Sequence, residues 1–223
     1  MSASQNPRGH RQPLVVRNLG LRAYEPTWHS MQAFSADRND DTLDELWLLQ
    51  HPPVYTLGLN AKAWHLLDAS GIPVVQVDRG GQVTYHGPGQ LIGYLLIDLA
   101  RRHLGVRDLV VRLEQAVINL LAGFDIRATG RRGAPGVYVD GAKIAALGLR
   151  VKNGRCYHGL ALNVDMDLMP FSKIDPCGYP GLQVTQLSNL GINLSFDEVS
   201  TRLESHLADV LGYTVGNDSK AIR

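Results

Sequence analysis

Two tight-turn dipeptides in the segment PGVYVDGAKIAALGLRVKNGRCYHGLALNVD (residues 135–165) constrain the fold more than any other feature. Asp140-Gly141 and Asn153-Gly154 each lie between strand-like runs, and such dipeptides are the strongest local signal for a two-residue β-hairpin loop. The segment therefore predicts three consecutive antiparallel strands. Because residues at equal distances from a turn pair, the first turn sets Lys143 opposite Tyr138.

The second turn predicts a hairpin with one nearly bare face. Counting outward from Asn153-Gly154 sets Gly148 opposite Gly159 and Ala146 opposite Ala161. The other face carries large side chains, namely Leu147, Leu149, Leu160 and Leu162, together with Lys143 at the start of the run. A face without side chains suits a groove for a narrow apolar ligand such as a fatty acyl chain. The alternative is that the two glycines only admit a closely packed helix.

A glycine-rich stretch, RGGQVTYHGPGQ (79–90), surrounds His86. Glycine permits close approach of a ligand to the backbone, so such a loop is often built around a bound molecule. The apolar runs VVQVD (74–78) and LIGYLLIDL (91–99) are typical of strands, and we expect the stretch to be a loop that joins them. A long hairpin connection with turn glycines is the alternative.

Lys143 and Cys177 are the candidate reactive residues. Lys143 lies in the apolar run AKIAAL, where a lysine either extends to solvent or is buried. Burial would lower its pKa and make it a base near neutral pH. Cys177 lies in DPCGYPGLQVTQL (175–187), where prolines and glycines on both sides hold the thiol in place. Cys156, in the middle of a hairpin strand, is predicted to be structural.

Composition bounds the class of protein. A chain of 223 residues with 44% hydrophobic residues can bury one substantial core, and we expect a disordered leader over 1–13 and a single domain over 14–223. A net charge of +1 gives no attraction to nucleic acid or to an anionic membrane. The polar N-terminus and the lack of a long apolar span predict a cytoplasmic protein, in which two cysteines are free thiols.

The element pattern predicts an α+β fold with a mixed, mostly antiparallel sheet and packed helices. Amphipathic helices are expected over 25–39, 106–124 and 195–212, and the last has a capping-box pattern at Ser195 and Glu198. Most of the remaining chain reads as strands, at 46–49, 54–58, 74–78, 91–99, 136–139, 143–151 and 157–164.

Four separated segments together resemble one known family. RGGQVTYHGPGQ, GVYVDGAKIAALG, HGLALNV and DPCGYPGLQVTQL have the order and spacing of the lipoyl(octanoyl) transferases, enzymes that move octanoyl from acyl carrier protein to a lysine of a lipoyl domain. The resemblance spans residues 45–190. It implies the fold of the catalytic domains of biotin protein ligases and lipoate-protein ligases.

The resemblance also implies roles for individual residues. Cys177 would be the acyl-thioester nucleophile, and Lys143 would lower its pKa. His86 would either act on the thioester, by orienting it or relaying a proton, or be structural. The acyl site would consist of Arg79, Gly80, Gly81, Gln82, Val83, Thr84, Tyr85, His86, Ala146, Leu147, Gly148, Gly159, Leu160 and Ala161.

The partners that the resemblance implies are proteins. The donor would be octanoyl-acyl carrier protein, and the acceptors would be lipoyl domains of 2-oxoacid dehydrogenase E2 subunits and the glycine cleavage H protein. Neither a cofactor nor a metal is implied. Acyl carrier proteins are typically acidic, so a group of basic residues near the hairpins is a candidate docking site or, alternatively, a solvated surface. These residues are Arg127, Arg131, Arg132, Arg150, Lys152 and Arg155.

Two other functions remain open from the residues alone. An ATP-dependent ligase would carry a phosphate-binding loop, but TGRRGAPG (129–136) lacks the lysine followed by serine or threonine that defines a P-loop. The other alternative is a non-catalytic module that binds an acyl chain or a carrier protein, in which Cys177 would stay unmodified.

Overall fold

The computed structural model describes residues 11–175 and 181–215, and their strands form two sheets. Cys177 and the rest of 176–180 lie outside the described residues. The eight-stranded sheet has the order β11-β1-β2-β6-β10-β9-β8-β7, with parallel pairs only at β11-β1 and β1-β2. Its strands are β1 (Gln12–Leu21), β2 (Asp44–Gln50), β6 (Gln90–Asp98), β7 (Thr129–Gly130), β8 (Gly136–Val139), β9 (Ala142–Lys152), β10 (Arg155–Asn163) and β11 (Tyr213–Val215).

The smaller sheet corrects the expected loop over 79–90. It contains β3 (Val54–Leu57), β4 (Val74–Gln76) and β5 (Val83–His86), in the order β4-β3-β5. The glycine-rich stretch thus includes a strand, and β4 and β6 belong to different sheets. The physical reason is burial, because Val83 and Tyr85 alternate toward a small core that contains Tyr55 and Phe171.

Three helices pack on the described part of the large sheet. They are α1 (Tyr24–Asp37), α2 (Val106–Ala122) and α3 (Phe196–Leu211), each within two residues of the predicted bounds. The capping box of α3 is present, because Ser195 Oγ accepts from the Glu198 backbone N–H and Glu198 Oε2 accepts from the Ser195 N–H. No helix among the described residues is long and apolar enough to cross a membrane.

The two faces of the sheet explain the continuous apolar run of β6. Leu91, Leu95 and Ile97 pack in the core shared with α2 and α3, whereas Ile92 and Tyr94 pack in a second core with α1. A strand buried on both faces has no polar side to present. The mixed, mostly antiparallel α+β architecture predicted from the sequence is therefore confirmed.

The hairpin registers are those predicted. Gly148 pairs with Gly159, Ala146 with Ala161, and Tyr138 with Lys143. Both turns have positive φ at their two central residues, as a two-residue hairpin loop of this type requires. The values are 48° and 85° at Asp140 and Gly141, and 51° and 76° at Asn153 and Gly154.

One feature of β10 breaks the expected alternation of faces. His158 has a φ of +64°, so Tyr157 and His158 both lie on the α1 side of the sheet. A Cβ added at Gly159 would point to the opposite side, where it would overlap the carbonyl oxygen of Gly93 and approach Leu95. The missing side chain of Gly159 therefore makes room for the backbone of β6 rather than for space on the Gly148 face.

The N-terminal edge was not predicted. Gln12 and Pro13, which the sequence assigned to a disordered leader, begin β1 and pair with Tyr213 and Thr214 of β11. The segments of β1 and β11 show little alternation of apolar and polar residues. They form strands because they pair with each other in the folded chain, so the sequence pattern did not predict them. Residues 1–10 lie outside the described residues.

Alanine at the two paired glycines should separate their roles. Gly159→Ala should lower the free energy of unfolding by about 3 kcal/mol, because its Cβ overlaps backbone that cannot move without breaking the β6–β10 pairing. Gly148→Ala should cost less than about 1 kcal/mol, since its Cβ would lie 3.1 Å from Arg79 Cδ and 3.3 Å from the Gly80 carbonyl oxygen, contacts that a shift of a few tenths of an ångström relieves. Urea unfolding of both variants measures the difference, and equal losses would contradict this assignment.

Candidate active site

An apolar pocket lies between the large sheet and the segment 79–86, on the α1 side. It is bordered by twelve of the fourteen predicted acyl-site residues, namely Arg79, Gly81, Gln82, Val83, Thr84, His86, Ala146, Leu147, Gly148, Gly159, Leu160 and Ala161. Tyr24, Ile92, Tyr94 and His158 complete its lining. The hairpin and the glycine-rich segment, far apart in sequence, thus enclose one space.

Gly80 and Tyr85 do not border this pocket. Gly80 donates its backbone N–H to the Leu149 carbonyl oxygen at 2.9 Å and so attaches the segment to β9. The Tyr85 ring packs against Phe171 at 5.5 Å between ring centroids, in the small core below β5. Both residues support the pocket from outside it.

Arg79 occupies the space that the absent side chain of Gly148 leaves. Its Cδ lies 3.1 Å from the position that a Cβ at Gly148 would take. Its guanidinium donates to the Thr56 carbonyl oxygen and Thr56 Oγ1, both at 2.8 Å, and to the Gly80 carbonyl oxygen at 3.0 Å. Arg79 therefore forms one wall of the pocket with its apolar stem, while its charge is directed at backbone oxygens.

One end of the pocket is polar. His51 Nδ1 lies 2.6 Å from the Arg22 carbonyl oxygen, which can only accept, so Nδ1 carries the proton. The Tyr94 hydroxyl then donates to His51 Nε2 at 2.8 Å. The His86 ring stacks on Tyr24 with centroids 5.8 Å apart.

Burial keeps both histidines neutral. Burial lowers the pKa of His51 to about 4 and, together with the nearby His51, lowers the pKa of His86 to about 3. An imidazole that stays neutral through the physiological range is a poor proton carrier at neutral pH. Of the roles left open for His86, this favours orientation or structure over a proton relay.

Asp78 joins three elements at the side of the pocket. Burial alone would raise its pKa, but hydrogen bonds from His158, Tyr157, Trp28 and Gln32 outweigh burial and hold the pKa well below the usual range. His158 Nε2 lies 3.2 Å from Asp78 Oδ1, and Trp28 Nε1 donates to the same oxygen at 2.9 Å. The carboxylate therefore ties the glycine-rich segment to α1 and β10.

Lys143 is buried rather than extended to solvent, with 4% of its surface exposed. Its Nζ donates to the Pro135 carbonyl oxygen at 3.2 Å and lies 5.2 Å from the centre of the Tyr138 ring. Its backbone N–H donates to the Gln183 carbonyl oxygen at 2.8 Å, and its own carbonyl oxygen accepts from the Thr185 backbone N–H at 2.9 Å. The chain that follows Cys177 therefore runs directly along the backbone of Lys143.

A buried chain of side chains anchors that same segment to the pocket. His86 Nδ1 donates to Gln90 Oε1 at 2.7 Å, and Gln90 Nε2 donates to Asn163 Oδ1 at 2.9 Å. Asn163 Nδ2 in turn donates to the Thr185 carbonyl oxygen at 2.9 Å. These contacts fix the segment after Cys177 relative to both His86 and Lys143.

Cys156 is structural, as predicted. Its side chain is fully buried in the core with α2 and α3, and burial raises its pKa to about 12. A thiol with so high a pKa is inert as a nucleophile.

Several residues of the site were missed from the sequence. Tyr94 was the one hydroxyl in the run LIGYLLIDL (91–99), and a polar atom in a strand buried on both faces is a usable signal. Asp78 directly preceded the predicted loop. Tyr24 and His51 carried no local signal, because only tertiary packing brings Tyr24 of α1 and His51, which follows β2, next to His86.

The neutral histidines should make folding sensitive to mild acid. In the unfolded protein, His51 and His86 each bind a proton below about pH 6.5. In the folded protein, His86 binds a proton only near its pKa of about 3. The stability that is present above pH 6.5 is therefore lost as the pH falls. Between pH 7 and 5 each histidine should cost about 2 kcal/mol.

The measurement is urea unfolding at both pH values. His86→Gln should show a smaller loss than the unchanged protein, and His29→Gln, at an exposed position of α1, is the matched control. An undiminished loss in His86→Gln would contradict the assignment of a neutral buried His86.

Comparison with known proteins identifies the family of the chain. The family profile "lipoyl protein ligase A/B catalytic domain" matches residues 23–208. An octanoyltransferase of Thiobacillus denitrificans is 65% identical over 194 residues, 87% of this chain and 89% of that protein. An octanoyltransferase of Chromobacterium violaceum is 60% identical over 195 residues, 87% of this chain and 94% of that protein.

Solved structures share the fold at low sequence identity. The bipartite lipoate protein ligase of Thermoplasma acidophilum superposes with a TM-score of 0.75 at 18% identity, over 95% of this chain and 88% of that one. The biotin protein ligase of Aquifex aeolicus gives a TM-score of 0.53 at 11% identity, over 91% and 69% of the two chains. With the match over residues 23–208 and relatives at 60–65% identity, the chain belongs to the lipoyl protein ligase A/B catalytic-domain family, within its octanoyltransferase branch.

Proposed function

We propose that this chain transfers an octanoyl group from octanoyl-acyl carrier protein to a lysine of lipoyl domains, through an acyl thioester on Cys177. The observation that carries the proposal is the placement of Lys143. This buried lysine pairs through its backbone with the segment that follows Cys177, and its strand continues along an apolar pocket. The names of the 60–65% identical relatives supply the substrate class.

The pocket is suited to an unbranched acyl chain. Ala146, Gly148 and Ala161 give it a wall of small residues, with Ile92 beside them and the stem of Arg79 opposite. Ala146 lies three residues along β9 from Lys143, about 10 Å for extended chain. A thioester at Cys177 next to Lys143 would direct its hydrocarbon tail along this wall.

In the first step, Cys177 exchanges one thioester for another. An isolated thiol has a pKa of about 8.5 and an isolated lysine about 10.4, so the two groups side by side favour thiolate and ammonium. The Cys177 thiol gives its proton to the Lys143 amine, and the thiolate attacks the octanoyl carbonyl carbon. The carbon–sulfur bond to the carrier breaks, and the leaving thiolate takes the proton from the Lys143 ammonium.

In the second step, the neutral amine of the acceptor lysine attacks the acyl-enzyme. A carbon–nitrogen bond forms, the bond to Cys177 breaks, and Lys143 moves the proton lost by nitrogen to the Cys177 sulfur. Forming an amide from a thioester makes this step favourable. The backbone N–H groups of Cys177 and Gly178 are the candidate oxyanion donors, since Pro176 has none.

The partners follow from this reaction. The donor is octanoyl-acyl carrier protein, and the acceptors are lipoyl domains of 2-oxoacid dehydrogenase E2 subunits and the glycine cleavage H protein. The reaction needs no cofactor or metal, and a cytoplasmic location follows from the location of such partners.

The alternative functions differ in what they require. The family also contains ligases, and a lipoate-protein ligase A of the same fold was solved with ATP bound. Intact mass spectrometry after mixing the chain with octanoyl-carrier protein, without ATP, separates the functions. An octanoyl adduct on Cys177 supports the transferase, adduct or product only with ATP supports a ligase, and neither supports a binding module.

Substitution of Lys143 should separate its two proposed tasks. Lys143→Arg keeps a positive charge but cannot surrender a proton, so alkylation of Cys177 by iodoacetamide should stay fast while octanoyl transfer falls by at least about 100-fold. Lys143→Met should slow both. Rates of alkylation and of transfer at neutral pH measure the effect, with Cys156 as the internal unreactive thiol.

Two results decide this prediction. Cys177→Ser should leave at most trace activity, because a hydroxyl is a much weaker nucleophile. If Lys143→Met leaves alkylation and transfer unchanged in a folded protein, the pairing of Lys143 with Cys177 is wrong.

The basic residues expected to dock the carrier do not form one cluster. Arg131 and Arg132 are exposed in the loop that leads to Pro135, and the Arg131 guanidinium lies 4.3 Å from the centre of the Tyr138 ring. Lys152 is nine residues along β9 from Lys143, about 30 Å away. Arg150 and Arg155 share that distant end of the hairpin, so docking next to Lys143 would use the loop.

Charge reversal at the two ends of β9 should therefore differ. Arg132→Glu should reduce kcat/KM with octanoyl-carrier protein about tenfold, with little change for a small octanoyl thioester, because only the carrier presents an acidic surface. Lys152→Glu is the matched control with the same change of charge, and it should affect neither donor. Equal losses with both donors, or an equal effect of Lys152→Glu, would reject docking at the loop.

A further inference from the structure

One peptide group lies between a carboxylate and the ammonium of Lys143. The Gly136 backbone N–H donates to Glu114 Oε1 at 2.9 Å, and the carbonyl oxygen of the same peptide, on Pro135, accepts from Lys143 Nζ at 3.2 Å. Glu114 lies on α2, whose buried residues belong to the core.

The arrangement is tightly fitted. Gly136 has a φ of +145°, and a Cβ there would lie 3.0 Å from Lys143 Cε and 2.6 Å from the Ala145 carbonyl oxygen. The Lys143 side chain thus packs directly on the Gly136 backbone. On the other side, Gly130 makes room for the carboxylate, because a Cβ at Gly130 would lie 2.7 Å from Glu114 Oε2.

A peptide held in this way transmits charge. When an amide N–H donates to an anion, its carbonyl oxygen becomes more negative and accepts more strongly from a cation. The Glu114 carboxylate therefore acts on Lys143 Nζ through the Pro135-Gly136 peptide without contacting it. The other charged or titratable side chains that the described contacts place next to Lys143 are Tyr138 and, across its ring, Arg131.

We propose that Glu114 is a positioning residue that holds the ammonium of Lys143 in place for proton transfer, through the peptide between Pro135 and Gly136. The proposal rests on the role given to Lys143 above. Glu114 polarises the carbonyl oxygen that Nζ contacts and fixes the loop that carries it. The reacting groups remain Cys177 and Lys143.

Glu114→Gln tests the proposal, because it keeps the shape and the accepting oxygen but removes the charge. Replacing a charge-assisted hydrogen bond with a neutral one should lower the alkylation rate of Cys177 and the kcat of octanoyl transfer by about tenfold, with KM for the acceptor unchanged. A direct through-space effect of Glu114 on the thiol has the opposite sign, since losing a negative charge would speed alkylation. Glu204→Gln, at a partly buried carboxylate of α3, is the control and should change neither rate.

A double-mutant cycle distinguishes positioning from a general structural effect. In a Lys143→Met background, Glu114→Gln should no longer slow alkylation, because the group that Glu114 acts on is absent. A decrease of the same size in both backgrounds would overturn the proposal, as would an unchanged or faster rate in Glu114→Gln alone. If Lys143→Met itself has no effect, the role of Lys143 fails first, so the two failures are separable.

Discussion

The register of the β9–β10 hairpin is the constraint on which the site depends. Asn153-Gly154 fixes which residues of the two strands pair, and that pairing brings Ala146, Gly148 and Ala161 onto one wall of the pocket. The turn at the other end of β9 sets Lys143 against Tyr138. A shift of one residue at either turn would exchange the faces, so that leucines would fill the pocket and Lys143 would leave its place.

Buried polar contacts then join the hairpin to the rest of the site. Asp78 ties the glycine-rich segment to α1 and β10, and the chain from His86 through Gln90 and Asn163 holds the segment after Cys177. Removing any one of these groups would leave its buried partner without a hydrogen bond, at a cost in stability. A single substitution is therefore a costly way to change the geometry of the pocket. In this chain, buried polar contacts thus surround and hold the apolar pocket.

The sequence predicted what short-range chemistry determines. Turn dipeptides gave the hairpin registers, and periodicity gave three helices to within two residues. The family resemblance, through three of its four motifs, gave twelve residues that border one pocket. Prediction from the sequence failed where long-range packing decides. At Gly159, which follows the positive φ of His158, an added side chain would point away from the pocket, although its backbone borders the pocket. Packing against a small tertiary core makes Val83–His86 a strand rather than a loop. The contact of Glu114 with the Pro135-Gly136 peptide could not be predicted from the sequence, because only the folded chain brings α2 next to that peptide.

The most direct test of the account is a crystal structure of the chain after reaction with an octanoyl thioester. We expect the acyl chain to leave Cys177 beside Lys143, follow β9 past Ala146 and Gly148 beneath Arg79, and contact Ile92. A second groove, bordered by Val106, Val110 and Pro135, offers the competing location. An acyl chain in that groove, with the pocket beside Ala161 unfilled, would contradict the central claim that the hairpin wall is the acyl site.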